Sequence, residues 1–194
     1  MAHERMVSVL VADLESWTVP TVAKEGELRD LVARRMSDVL VGDPEWRAYQ
    51  VLCEGTDLRD GLRQIVPMHI FGGSFWPDIT VIGRDASEPI MAVEVKLPTG
   101  TNPGPIATAI GQALCYRHGK PYVGSGRKRA CEGTPYPWVV TFIVDRRRDT
   151  SITMERTPLE DQRFREWLWG QQIALVVRDE RSKAVAALAF GAHR

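Results

Sequence analysis

The residues best suited to chemistry lie in the segment WPDITVIGRDASEPIMAVEVK. Asp78 follows Pro77 at the start of one apolar run, and Glu94 and Lys96 stand two apart on the next. Side chains two apart on a strand share a face, so Glu94 and Lys96 project together. If the two runs pair as a hairpin, Asp78 comes beside them from the neighbouring strand. Two carboxylates and an ammonium then converge at the open edge of a sheet. Hard oxygen donors of this kind hold Mg²⁺ or Mn²⁺ and leave positions for water and a substrate phosphate. Such a cation lowers the pKa of its water and neutralises charge on a reacting phosphate. A lysine at its edge positions or deprotonates that water and adds positive field where charge develops. The chemistry that asks for this set is phosphodiester hydrolysis.

The elements around these residues can be read from pattern. Residues 22–41 are helical, because Glu25, Leu28, Val32, Met36 and Val39 advance by three or four positions along one stripe. Gly42 and Pro44 stop that helix. Glu25 sits on its apolar stripe, where an unpaired buried charge costs several kcal/mol, so a wholly solvated role is disfavoured. Strands are expected at 49–53, 79–82 and 90–97, with Met91, Val93 and Val95 facing away from Glu94 and Lys96. A helix over 106–118, closed by Gly119, carries Gln112 and Tyr116 one turn apart. The run WVVTFIV (138–144) reads as a buried strand, and 159–169 as a helix ended by Gly170. Two apolar runs, 173–177 and 184–190, flank the turn DERSK and look like a closing hairpin. Residues 6–17 fit a helix or a strand equally. The expected fold is a single α/β domain with a mixed central sheet flanked by helices.

The P-D…E-V-K pattern on consecutive strands resembles the PD-(D/E)xK superfamily of nucleases, which includes restriction endonucleases, Holliday-junction resolvases and RecB-like exonucleases. Three further features strengthen the likeness. Glu25 lies on the first core helix, in a run EGELRDLV similar to the first helix of archaeal junction resolvases. Gln112-Ala-Leu-Cys-Tyr116 matches the Q-x-x-x-Y motif of RecB-like members. The order helix, three strands, helix, strand is that of the family's common core. The resemblance covers about residues 20–145; the segments 1–19 and 150–194 have no counterpart in it. It implies a restriction-endonuclease-like core (α-β-β-β-α-β), followed by a C-terminal helix–hairpin extension. It implies Mg²⁺ or Mn²⁺ on Glu25, Asp78, Glu94 and the main-chain carbonyl of Val95, with Lys96 aiding the attacking water. Gln112 then stands near the metal or scissile phosphate, and Tyr116 supports it.

Charge placement suits a polyanion. The formal net charge is zero, with 25 basic and 25 acidic residues, so any basic surface is local. No acidic residue occurs between Lys96 and Glu132, while Arg117, Lys120, Arg127, Lys128 and Arg129 do. With Tyr116, these are the candidate nucleic-acid contacts. His69 could contact phosphate, though a structural role is the better reading. Trp138, Trp167 and Trp169 are expected in the core; Trp76, beside Pro77, is the tryptophan placed to stack on an unpaired base.

Other classes are disfavoured. Three cysteines without CxxC spacing argue against a disulfide framework or a cysteine-held metal, and fit a reducing cytoplasm. No apolar run approaches the roughly 20 residues that span a bilayer, and no phosphate-binding loop for ATP is present. The expectation is a cytoplasmic DNA endonuclease of restriction, repair or defence type, RNA not being excluded. It could dimerise through the closing hairpin. The rivals are a nuclease-fold module that binds DNA without cutting it, and a structural subunit of a larger assembly.

Overall fold

The computed structural model describes residues 2–59, 61, 68–70, 73–83, 89–99, 104–119, 122–123, 131–132, 136–146 and 158–179. In chain order the elements begin with helices α1 (Ala2–Ser16) and α2 (Glu25–Gly42), then strands β1 (Gln50–Cys53), β2 (Thr56–Asp57), β3 (Met68–Ile70), β4 (Gly73–Phe75), β5 (Ile79–Ile82) and β6 (Pro89–Lys96). Helix α3 (Gly104–His118), strands β7 (Tyr122–Val123), β8 (Cys131–Glu132) and β9 (Trp138–Asp145), helix α4 (Pro158–Gly170) and strand β10 (Ile173–Asp179) follow.

Six strands form one mixed sheet in the order β10-β9-β6-β5-β1-β2; β3–β4 and β7–β8 are separate small hairpins. One half of the sheet, β2-β1-β5-β6, is antiparallel, and β6, β9 and β10 run parallel. The β1–β2 turn places Glu54 at φ 46° and Gly55 at φ 76°. Two left-handed residues in a two-residue loop match the twist of the flanking strands, and the second position favours glycine. The centre of the sheet is apolar because helices cover both faces. Met91, Val93 and Val95 of β6 join Val140, Phe142 and Val144 of β9 in a core beneath α1 and α2. Ala92, Val139 and Ile143 face the other way, toward Ala109, Ala113 and Tyr116 of α3 and Leu168 of α4. The protein is thus an α/β structure with a six-stranded mixed sheet packed against four helices.

The segment with two readings is helical. Met6, Val7, Leu10, Val11 and Leu14 are buried at three- and four-residue spacing, the period of a helix lying on a sheet. The run at 173–177 is a strand, as expected, and it pairs in parallel with β9 as an edge of the central sheet. Its expected hairpin partner, 184–190, lies outside the described residues. Trp138 is buried, but Trp167 is 51% exposed and does not pack in the core. It stacks on Phe164, three residues back, with ring centroids 6.0 Å apart, on a side of α4 away from buried Leu168. No helix among the described residues is long and apolar enough to cross a membrane.

Candidate active site

The β5–β6 register pairs Ile79 with Val93 and Thr80 with Ala92. One step further along the same register sets Asp78 opposite Glu94, and residues directly opposite share a face. Asp78 stands just before β5, and its Oδ2 accepts the Val95 N–H at 2.8 Å. The carboxylate therefore takes the place of a ladder carbonyl where the neighbouring strand has ended. The Val95 carbonyl points to the same side as its N–H, as in any strand, and so toward this notch.

Lys96 Nζ lies 2.5 Å from Glu94 Oε1 and 3.4 Å from Glu25 Oε1. Glu25 Oε2 accepts the Leu97 N–H at 3.1 Å. Glu25 opens α2, which packs on the opposite face of β6, so its carboxylate reaches the site around the carboxyl end of that strand. The Tyr116 hydroxyl is 3.0 Å from Glu94 Oε2 and 3.1 Å from the Trp76 carbonyl. It has one proton to donate, and the charged acceptor makes the stronger bond. Gln112, one turn earlier on α3, hydrogen-bonds Tyr116; its Oε1 is buried without a hydrogen-bond partner among the described residues. Four segments far apart in sequence thus meet at the end of β6.

Burial dominates the electrostatics. The side chains of Glu94 and Lys96 are 2% and 14% exposed, against 46% for Glu25. Desolvation raises the Asp78 pKa, opposed by the Val95 N–H and Lys96. Desolvation and the charge of Asp78 raise Glu94, opposed by Lys96 and Tyr116. Burial works against the Lys96 ammonium, but Glu94, Asp78 and Glu25 outweigh it and the pKa rises. Burial and Glu94 together push the Tyr116 hydroxyl far up, so it remains a donor. Three acids around one ammonium leave negative charge in excess.

That excess, held on hard oxygen atoms, suits a divalent cation in chemistry. The arrangement is not a finished cage: among the described residues, no three His, Cys, Asp or Glu side chains are grouped to hold a metal ion. The reason is visible in the contacts. Lys96 stands where Glu94 and Glu25 face each other, and Tyr116 and the Leu97 N–H hold their remaining oxygens. A cation shared by these carboxylates requires Lys96 Nζ to swing aside.

The expected polymer contacts fare unevenly. Tyr116 is fully buried, so it cannot touch a polymer; that assignment is corrected to support of Glu94. Arg117 Nε donates to the Gln171 carbonyl and to Gln172 Oε1, both at 3.1 Å, and Nη2 also contacts Gln172 Oε1. Its guanidinium therefore clamps the turn before β10. Lys120, Arg127, Lys128 and Arg129 lie outside the described residues, and His69 is placed only as backbone in β3. Two participants were missed in the sequence. The Trp76 carbonyl has no side-chain signal to find it. Arg29 does: it follows Glu25 by one helical turn, and its charge favours the ionised form of Asp78. It also pairs with Asp30 and Glu54, tying the site to the β1–β2 turn.

Set against protein-family models, curated proteins and solved structures, the chain finds no match in any of the three comparisons.

Proposed function

We propose that this protein is a metal-dependent endonuclease of the PD-(D/E)xK type, with a restriction-endonuclease-like core, hydrolysing phosphodiester bonds in DNA. The observation that carries the reading is the meeting of Glu25, Asp78, Glu94 and Lys96 at the carboxyl end of β6. Glu25, Asp78, Glu94 and the Val95 carbonyl would hold Mg²⁺ or Mn²⁺. When bound, the cation supplies a water acidic enough to attack at neutral pH and offsets charge on the phosphate. Lys96, protonated and released from Glu94, orients the attacking water and faces the charge that develops on the phosphate oxygens. Tyr116 fixes the Glu94 carboxylate, and Gln112 steadies Tyr116. No nucleotide cofactor enters this scheme.

Supercoiled plasmid and short single- and double-stranded DNA, incubated with Mg²⁺ or Mn²⁺, provide the test. Wild type cuts, EDTA stops it, and Lys96→Ala lowers the rate by about 10²–10⁴-fold, the range for loss of a proton-handling group. No cutting of any substrate with either metal removes the proposal.

A second reading, a DNA-binding module of this fold that does not cut, has one observation in its favour: Lys96 already neutralises Glu94, and no three-ligand group occurs among the described residues. Titration calorimetry separates the two. Mg²⁺ or Mn²⁺ binding that disappears in Asp78→Ala supports the nuclease, and equal weak binding in both supports the module.

A further inference from the structure

Near the acid cluster lies one large side chain that the scheme above does not use. Trp76 is 40% exposed, unusual for the residue type with the most apolar surface to hide. Its backbone is anchored on the carboxyl side. Pro77 after it is buried, and its own carbonyl oxygen lies 3.1 Å from the buried Tyr116 hydroxyl. The same hydroxyl holds Glu94 at 3.0 Å. One buried group thus ties the backbone of Trp76 to a carboxylate of the site while leaving the indole accessible to solvent. Only Pro77 stands between Trp76 and Asp78, so their backbones lie within roughly 7 Å of each other at about 3.3–3.6 Å per residue step. That is the scale of one nucleotide, from a base to a phosphate carried on its own sugar.

Charge makes such a contact useful. Glu25, Asp78 and Glu94 outnumber Lys96 here, and a divalent cation would bring the site only to about neutrality. Charge alone therefore adds little affinity close to the scissile bond, and a contact of another kind is useful there. A nucleobase is a neutral aromatic plate, and stacking on an indole is indifferent to sequence. Inside a duplex both faces of a base are covered by its neighbours, so only an unpaired or extruded base offers its face.

We propose that Trp76 is a stacking platform for an unpaired base next to the scissile phosphate, so that the substrate class is DNA with single-stranded character at the cut, such as a single strand, an overhang or a flap. This rests on the nuclease reading and narrows it. Trp76 touches substrate and takes no part in proton transfer.

The experiment uses the full chain with Ca²⁺ in place of Mg²⁺, and a fluorescently labelled oligo(dT) beside a blunt duplex of equal length. Binding is read by anisotropy in wild type, Trp76→Ala and Trp76→Phe, and cleavage by all three is then measured in Mn²⁺. Trp76→Ala weakens oligo(dT) binding by about 5- to 150-fold and raises KM for single strands more than it lowers kcat. Trp76→Phe keeps most of the affinity, and the blunt duplex is bound nearly equally by all three. As a control on folding, oligo(dT) quenches tryptophan emission of wild type and quenches it measurably less in Trp76→Phe. The inference is overturned if single-strand and duplex binding fall together in Trp76→Ala, if neither changes, or if the quenching is the same in Trp76→Phe. A wild type that cuts nothing while Trp76-dependent oligo(dT) binding persists defeats the nuclease reading and leaves the platform standing. A wild type that cuts with no dependence on Trp76 does the reverse.

Discussion

On one face of β6, Met91, Val93 and Val95 pack beneath α1 and α2; on the other, Ala92 gives way to Glu94 and Lys96 beside α3. Both faces are shielded from water, but they affect the fold in opposite ways. The apolar face gains about 25 cal/mol for each Å² removed from water. The charged face loses hydration, and its hydrogen bonds only partly compensate, as the raised pKa values of Asp78 and Glu94 show. An acid whose folded pKa lies above its unfolded value weakens the fold once the pH exceeds both. At neutral pH these two carboxylates therefore work against the structure that holds them. A strand that needed only to be stable would not carry them, and that is the physical reason to look for chemistry at its end.

The contrast can be tested from its strongest consequence to its weakest. Phe142→Ala empties a fully buried position on the apolar side, where the ring lies 6.3 Å from that of Trp17. Urea unfolding is expected to show a loss of about 3–5 kcal/mol, with activity per folded molecule unchanged. Tyr116→Phe removes the donor to Glu94 Oε2 and is expected to destabilise by about 1–3 kcal/mol, the penalty for a buried acceptor left unsatisfied. Unlike Phe142→Ala, it should also lower the rate of the cleavage proposed above.

Asp78→Asn reverses the sign. The amide oxygen can still accept the Val95 N–H, and the desolvated charge is gone. In EDTA at neutral pH the variant is expected to melt higher than wild type, by about 2–4 °C for each kcal/mol recovered in a chain of this size. The gap should close as the pH falls through the raised Asp78 pKa to below about 3, where the wild-type carboxyl is protonated in both states. A gap that widens on acidification would reverse the account of this face. Mg²⁺ should then raise the melting point of wild type and not of the variant. The smallest effect belongs to Trp167→Ser, at a position 51% exposed; a change within about 0.5 kcal/mol is expected, as for a surface residue outside both cores.

Period and punctuation in the sequence were enough to find α2, β5, β6, α3 and β9. Each carries a clear 3.6- or 2-residue rhythm, or a compact apolar run, bounded by Gly or Pro. Residues 6–17 gave no decision, because a dense apolar run satisfies both periods until a partner surface selects one. The two-residue strands at 56–57, 122–123 and 131–132 are too short to have a period. The run at 173–177 was legible as a strand, but its parallel pairing with β9 was not, since strand neighbours are chosen by tertiary packing.

The site divides in the same way. The pairing of Asp78 with Glu94, and the shared face of Glu94 and Lys96, follow from alternation and hairpin register. The place of Glu25 on an apolar stripe marked it as more than a solvated acid. The contacts of Tyr116 with Glu94 and the Trp76 carbonyl, and the influence of Arg29 on Asp78, cross between layers, where sequence spacing carries no information.

The first helix has a consequence for how the chain is made. Helix α1 packs against β9 and β10, and Arg178 of β10 donates to the carbonyl of Glu15. During translation the amino-terminal segment emerges with Met6, Leu10 and Leu14 uncovered, and its strand partners β9 and β10 follow more than 120 residues later, on the order of ten seconds behind. Folding cannot proceed vectorially from the ribosome exit, and this long-range closure is expected to be slow. A version shortened before Ile173 would lose β10 and uncover the part of the α1 stripe that packs on it.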